Sequence, residues 1–221
     1  LVKFQQFFAN QLDEKGKDPA NDIISDLATI DFEDEHGVTR RLETAEQLSI
    51  IQQLLVAGNA TTAHSITEAI KLLIEHPEQM ELVVNDHSLI PNMIEESLRL
   101  LTPTNNMWRV VTEDTELGGV SIPKGSSLLL RYGSGNRDEE VFENPDTFDV
   151  TRKNSKRHVA FGQGIHVCVG MNLSRKEMYT AFPIIIDRLK NMRFAEGNDF
   201  NYSPNVLLRG LDSLHIEFDK A

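Results

Sequence analysis

The chain has 221 residues, 40% of them hydrophobic and 25% charged, and a formal net charge of −12. That length can build one sizeable core, while the acidic balance argues against a nucleic-acid partner, which would call for a basic surface. A single cysteine excludes a disulfide framework and fits a reducing, cytoplasmic setting, and no apolar run reaches the length of a membrane span. Leu1-Val2-Lys3-Phe4 leads directly into a helical pattern with no starting Met and no signal peptide, so the chain reads as opening mid-protein.

In chain order, Phe4 to Gln11 reads as the end of an amphipathic helix, and Gln11 to Ala20, with Gly16 and Pro19, as a polar turn. Asp22 is placed to cap a short helix carrying Ile23, Ile24, Leu27 and Ala28. Asp31 to Gly37 is an acidic loop without the alternating ligand spacing of a calcium site. Thr44, with Gln47 three residues later, reads as a capping box. Apolar residues then recur at helical spacing from Leu48 to Ile74, with no proline before Pro77. Such a spine helix, about 45–75, would run about 30 residues and about 45 Å.

Pro77 to Val84 predicts another short helix, and Pro91 fits the first turn of the next, which ends before Pro103. From Trp108 to Leu130 the pattern changes to short strands with a Gly118-Gly119 turn. Residues 133–160 are rich in Gly, Asn, Asp and Pro, and a long ordered loop in a compact domain usually has a function. Leu173 to Leu189 reads as a helix containing Pro183, and Phe194 to Phe218 as strands and turns.

The lone thiol lies in Phe161-Gly162-Gln163-Gly164-Ile165-His166-Val167-Cys168-Val169-Gly170. A single cysteine is more often an inert small hydrophobe than a ligand. This one is framed by glycines that let the backbone fold tightly beneath a flat ligand. A helix starting just after it would favour thiolate, the metal-binding form. Upstream, Ala57-Gly58-Asn59-Ala60-Thr61-Thr62 interrupts the spine helix with poor helix formers. Gly58 there admits a flat ligand to the backbone. A Thr hydroxyl bonded one turn back would distort the helix and open a groove. Glu96-Ser97-Leu98-Arg99 places opposite charges three residues apart on one helix face; alone, such a pair is usually an exposed ion pair.

Together these runs resemble the cytochrome P-450 family. The cysteine run matches its haem-ligand signature, Phe-Gly-x-Gly-x-His-x-Cys-x-Gly, at all six fixed positions. The Thr61 run resembles its oxygen-binding motif, and Glu96…Arg99 its Glu-x-x-Arg landmark. The resemblance implies a mainly α fold with small β-sheets, and haem b (iron protoporphyrin IX) held through Cys168, with Phe161, Gly162, Gly170 and Ala57 against it. Thr61, with Thr62, Gly58 and Ala60, would handle dioxygen and its protons. His166 and Arg109 would meet the haem propionates. Glu96 and Arg99 would anchor the loop before the cysteine. In Pro145-Asp146-Thr147-Phe148, Thr147 stands where the family often has a third partner, Arg, so Arg152 or a backbone carbonyl is the substitute. Asn105, Asn106, Met107, Trp108, Val206 and Leu207, with Asn59, fall where the family lines its substrate pocket.

The implied function is a haem-thiolate monooxygenase that inserts one oxygen atom into an apolar small molecule. Its electrons would come from a ferredoxin-type donor with its reductase, because no flavin or nicotinamide module is present. Arg152, Lys153, Lys156, Arg157, His158, Arg175 and Lys176 would form the docking patch. Ala60 stands where most members carry an acid, as in the family's fungal nitric-oxide reductases, so nitric-oxide reduction or peroxide-driven chemistry is the nearest alternative. A non-catalytic haem-binding protein or an inactive fragment is another, and a cysteine hydrolase a remote third. Family members are roughly twice this length, so the expectation is the C-terminal part of one P-450 domain whose N-terminal half is absent. It divides into a helical 1–102, a β-rich 103–132, an irregular 133–160, the Cys loop and helix 161–190, and strands and turns at 191–221. Alone, such a chain would hold haem weakly. His36, His64, His76, His87 and His215 show no zinc spacing.

Overall fold

The structure, a computed structural model, describes residues 2–220. The chain divides into two compact units, Leu1–Asn59 and Ala60–Ala221.

In the first unit, α1 (Val2–Lys17) sets Phe4 against Phe8, tilted, at 4.8 Å between ring centroids and buries Leu12. The helix runs through the stretch that the sequence suggested was a polar turn: one glycine costs only about 1 kcal/mol in a helix, and Gly16 lets Ala28 of α2 (Ile23–Thr29) pack close by. Asp22 caps α2 as expected, its carboxylate accepting from Ser25 N at 2.8 Å. The predicted acidic loop is in part a hairpin, β1 (Asp31–Glu33) with β2 (Thr39–Arg41), antiparallel in the register Phe32↔Arg40. Asp34 makes its turn by accepting the amides of His36 and Val38. Arg40 then reaches over the Phe32 ring to Asp34 and, through two 2.8 Å bonds, to Glu46.

The long helix α3 spans Thr44–Glu75 and continues from the first unit into the second. Its N-terminal box is shifted one residue from the Thr44–Gln47 reading. Glu46 reaches back to accept the Glu43 amide at 2.8 Å, and Gln47 instead donates to the carbonyl of Leu27. Satisfying an orphan amide at the helix start is the common rule.

In the second unit, α4 (Pro77–Asn85) and α5 (Ile90–Leu101) follow, the latter with proline in its first turn. α5 stops at Thr102, which has φ 45° and precedes Pro103. The core gathers Ala69 and Leu73 of α3, Val83, Met93, Ile94 and Leu98 of α4 and α5, and Met178, Phe182 and Ile186 of α7 (Met171–Arg188). Phe148 and Val150 from the irregular segment complete it. Small antiparallel pairs surround this core. β3 (Asn106–Val110) pairs with β6 (Ser127–Arg131), and β4 (Thr115–Leu117) with β5 (Val120–Ile122). The second pair turns on Gly118 and Gly119, both at positive φ (58° and 80°), the geometry that a tight hairpin requires. One helical turn, α6 (Tyr132–Gly135), follows β6. β7 (Leu189–Phe194) and β8 (Ile216–Lys220) close the unit. The fold is mainly helical with small sheets.

Candidate functional site

Cys168 is exposed at the end of a loop that enters α7. The loop turns on Gly162 and Gly164, with φ 67° and 74°, backbone that L side chains rarely adopt. Its 3₁₀ turn, Gly164–His166, puts the Val167 amide on the Gly164 carbonyl at 3.0 Å, and the Cys168 amide donates to the Phe161 carbonyl at 2.9 Å. α7 begins three residues past the thiol. Ile165, Val167, Val169 and Leu173 are all exposed around it, Ile165 at 96% and Val169 at 91%. Exposed single apolar residues are ordinary; a contiguous set flanking a thiol is the informative pattern.

The Thr61 run keeps α3 intact. Ala57, Gly58 and Asn59 are exposed, and a Cβ on Gly58 would meet nothing within 4 Å. Ala60 and Thr61 are half-buried and Thr62 is buried. Thr62 donates its hydroxyl to Ser174 Oγ on α7 at 3.1 Å. Ser65 donates to the Thr61 carbonyl at 2.8 Å.

Glu96 and Arg99 are wholly buried and paired at 2.8 Å, not an exposed helix pair. Both expected substitutes for the third partner are used. Arg152 Nε donates to Glu96 at 2.8 Å. Arg99 donates to the carbonyls of Asn136, Pro145 and Thr147, and Arg152 also to those of Glu143, Asn144 and Thr147. Two guanidinium groups thus tie the irregular segment to α5. A buried carboxylate needs this many donors to offset its desolvation.

A second carboxylate was missed in the sequence. Glu95, next to Glu96 on α5, is also fully buried, facing His158, Arg175 and Tyr179. Burial pushes its pKa up, but the bonds from His158 and Arg175 outweigh that and hold it at about 2. Burial, with the Glu95 charge, pushes Tyr179 up to about 12. The signal was the company it keeps: Glu95, Glu96 and Arg99 sit among Met93, Ile94, Leu98, Leu100 and Leu101, and a helix buried all round must pair its charges inside. The basic patch is corrected accordingly. Arg152 and His158 are buried in these networks and Arg175 is engaged by Glu95, leaving Lys153, Lys156, Arg157 and Lys176 exposed.

The two segments expected near substrate meet each other. Asn105 N and Asn106 N donate to the Leu207 carbonyl at 2.8 and 3.3 Å, and Asn106 Nδ2 to the Val206 carbonyl at 2.6 Å. Met107, Trp108 and Val206 remain exposed, with Trp108 at 53%. Asn106 Oδ1 is buried without a partner. Arg109 is half-buried, donating to the Trp108 carbonyl, and His166 is exposed on the 3₁₀ turn. No group of three or more His, Cys, Asp or Glu residues among those described could hold a metal ion. Among the described residues, no helix is long and apolar enough to cross a membrane. An exposed thiol on a glycine-turned loop, with exposed apolar residues on both sides of it in the chain, fits the thiolate face of a haem.

The family model for cytochrome P450 matches residues 1–206, and the chain belongs to that family. Over 214 residues it is 35% identical to the 6-deoxyerythronolide B hydroxylase of Saccharopolyspora erythraea, covering 96% of this chain and 52% of that protein. It is 40% identical over 210 residues to a steroid C26-monooxygenase of Rhodococcus jostii, covering 95% of this chain and 42% of that one. Substrate-free cytochrome P450 CYP150A6 of Mycobacterium marinum superposes with a TM-score of 0.91 at 32% identity, over 100% of this chain and 55% of its own. The testosterone complex of CYP109E1 from Bacillus megaterium gives 0.89 at 32% identity, over 99% and 59%. The chain spans about half the length of the curated relatives it matches. Members of this family are haem-iron oxidoreductases.

Proposed function

We propose that the protein carrying this chain is a haem-thiolate monooxygenase acting on an apolar small organic molecule. The observation that supports it most is Cys168: the only cysteine, exposed on a loop whose backbone is fixed by Gly162, Gly164 and the Phe161 carbonyl. Bound haem b would supply dioxygen activation and oxygen-atom transfer, and a thiolate ligand favours O–O cleavage. Cys168 would bind the iron, with Phe161, Gly162 and Gly170 against the macrocycle. Arg109 and His166 would neutralise the two propionates. The Thr61 hydroxyl would hold a proton where oxygen is handled, while Thr62 is occupied by Ser174. Met107, Trp108, Val206 and Leu207 would present an apolar wall to the substrate, excluding water from it.

Electrons would arrive from a ferredoxin-type donor with its reductase, docking on Lys153, Lys156, Arg157 and Lys176. A second reading, nitric-oxide reduction or peroxide-driven turnover, is favoured by Ala60, which cannot relay a proton. Turnover measured in parallel with a ferredoxin system, with peroxide, and with nitric oxide plus NADH separates the two. Product formation only with ferredoxin supports monooxygenation, and activity confined to the other arms overturns it. A protein that binds haem and consumes no electrons in any arm is a carrier instead. Absorbance titration of the 221-residue chain with hemin tests the expected weak retention, which tight stoichiometric thiolate binding would contradict.

A further inference from the structure

We propose that Glu95 is a positioning residue for Cys168, acting through the Phe161 ring to hold the backbone bond that seats the thiol. The inference rests on reading Cys168 as the haem ligand.

All the acceptor capacity of Glu95 is taken. Oε1 accepts from Arg175 Nε at 2.8 Å and from Tyr179 Oη at 2.9 Å. Oε2 accepts from Arg175 Nη2 at 2.7 Å and from His158 Nε2 at 3.1 Å. The Ala160 amide donates to His158 Nδ1 at 3.1 Å, so the proton is on Nε2 and the ring orientation is fixed. The carboxylate therefore sets two side chains, one from the segment before the Cys loop and one from α7 after it.

Both flank Phe161. The Arg175 guanidinium lies 4.9 Å from the centre of its ring, and the His158 ring 5.9 Å from it. Phe161 is itself the residue whose carbonyl accepts the Cys168 amide. The path from Glu95 to the thiol is thus one shell of charge-assisted bonds, one aromatic ring and one backbone bond. Glu96 instead accepts from Arg99, from Arg152 and from the Asp149 amide, which ties down the irregular segment. The adjacent carboxylates thus divide the work: Glu96 fixes where the loop starts, and Glu95 fixes where it ends.

Hydrogen–deuterium exchange resolved to the 161–170 segment tests this on the protein, with the β7–β8 strand pair as internal reference. Glu95→Gln keeps the shape and removes the charge; it is expected to speed exchange at Cys168 about tenfold while leaving the strand pair unchanged. Arg175→Lys keeps the charge and loses the fork, for a gain of about threefold. Equal acceleration of the strand pair, or no local change in a folded variant, overturns the proposal. If Glu95→Gln does not fold, Arg175→Lys decides alone. The exchange measurement needs no haem, so its failure sinks the role of Glu95 and leaves the ligand assignment to be tested separately, by the absorbance of the reduced, carbon-monoxide-bound, haem-loaded protein.

Discussion

The α5 helix and the Cys168 loop invert the usual placement of side chains in opposite senses. α5 buries Glu95, Glu96 and Arg99 completely, while the loop exposes Ile165 and Val169 almost completely. Burying charge is tolerated only where polar partners replace water, and α5 meets that condition with carbonyls that accept from Arg99, and with two further guanidinium groups and a histidine that donate to its carboxylates. Exposed apolar side chains around the thiol have no such compensation within the described residues, so they mark a face suited to an apolar ligand. One region spends its chemistry on holding shape, the other keeps it available.

The contrast predicts that breaking α5 is the larger perturbation. Arg99→Ala strands Glu96 in the core and should cost about 3–5 kcal/mol, a large fraction of the stability of a typical domain. A urea melt checks it, and a variant within 1 kcal/mol of wild type, on the order of a surface change, would show that the network is dispensable.

Acid should find the same region. Glu95 is held at about 2 against an ordinary carboxyl near 4.5. A lowered carboxyl stabilises the fold above its unfolded value, and that contribution is lost as pH falls through the folded one. Stability should therefore drop between pH 4.5 and about 2, and the drop should be shallower in Glu95→Gln. Identical profiles for the two proteins would locate the acid sensitivity elsewhere.

In the loop, Gly162→Ala meets only ordinary contacts, 3.6 Å to Tyr132 Oη, but must hold φ at 67°. It should cost about 1–2 kcal/mol, felt in the loop and in haem affinity. At the small end, Cys168→Ala, Ile165→Ser and Val169→Ser should each move thermal stability by about 0.5 kcal/mol or less, as exposed substitutions do. A cysteine variant that unfolds the protein would make the thiol a structural residue and dissolve the contrast.

The sequence was legible where period and punctuation agree. The apolar spacing of α3, Pro91 at the start of α5 and the Gly118-Gly119 turn each report a backbone requirement directly. The β1–β2 hairpin was not, because Asp34 and Arg40 build it from polar contacts that look like solvated charge. The extent of α1 was hidden by a glycine that serves helix packing. At the site, the Cys168 run was legible as a pattern, whereas the Glu95 network joins residues 63 to 84 positions apart. Nothing local in Glu95, His158 or Arg175 tells an internal partner from a surface charge, and so three members of the expected docking patch turned out to be structural. Thr62 illustrates the same limit: its hydroxyl prefers Ser174, 112 residues away, to the carbonyl one turn back.

The most direct test of Cys168 as a haem ligand is the absorbance of the reduced, carbon-monoxide-bound, haem-loaded protein beside its Cys168→Ser variant. The band typical of thiolate-ligated haem should be present in the wild type and absent from the variant. A wild-type protein that binds haem without that band, or a serine variant that keeps it, would contradict the assignment.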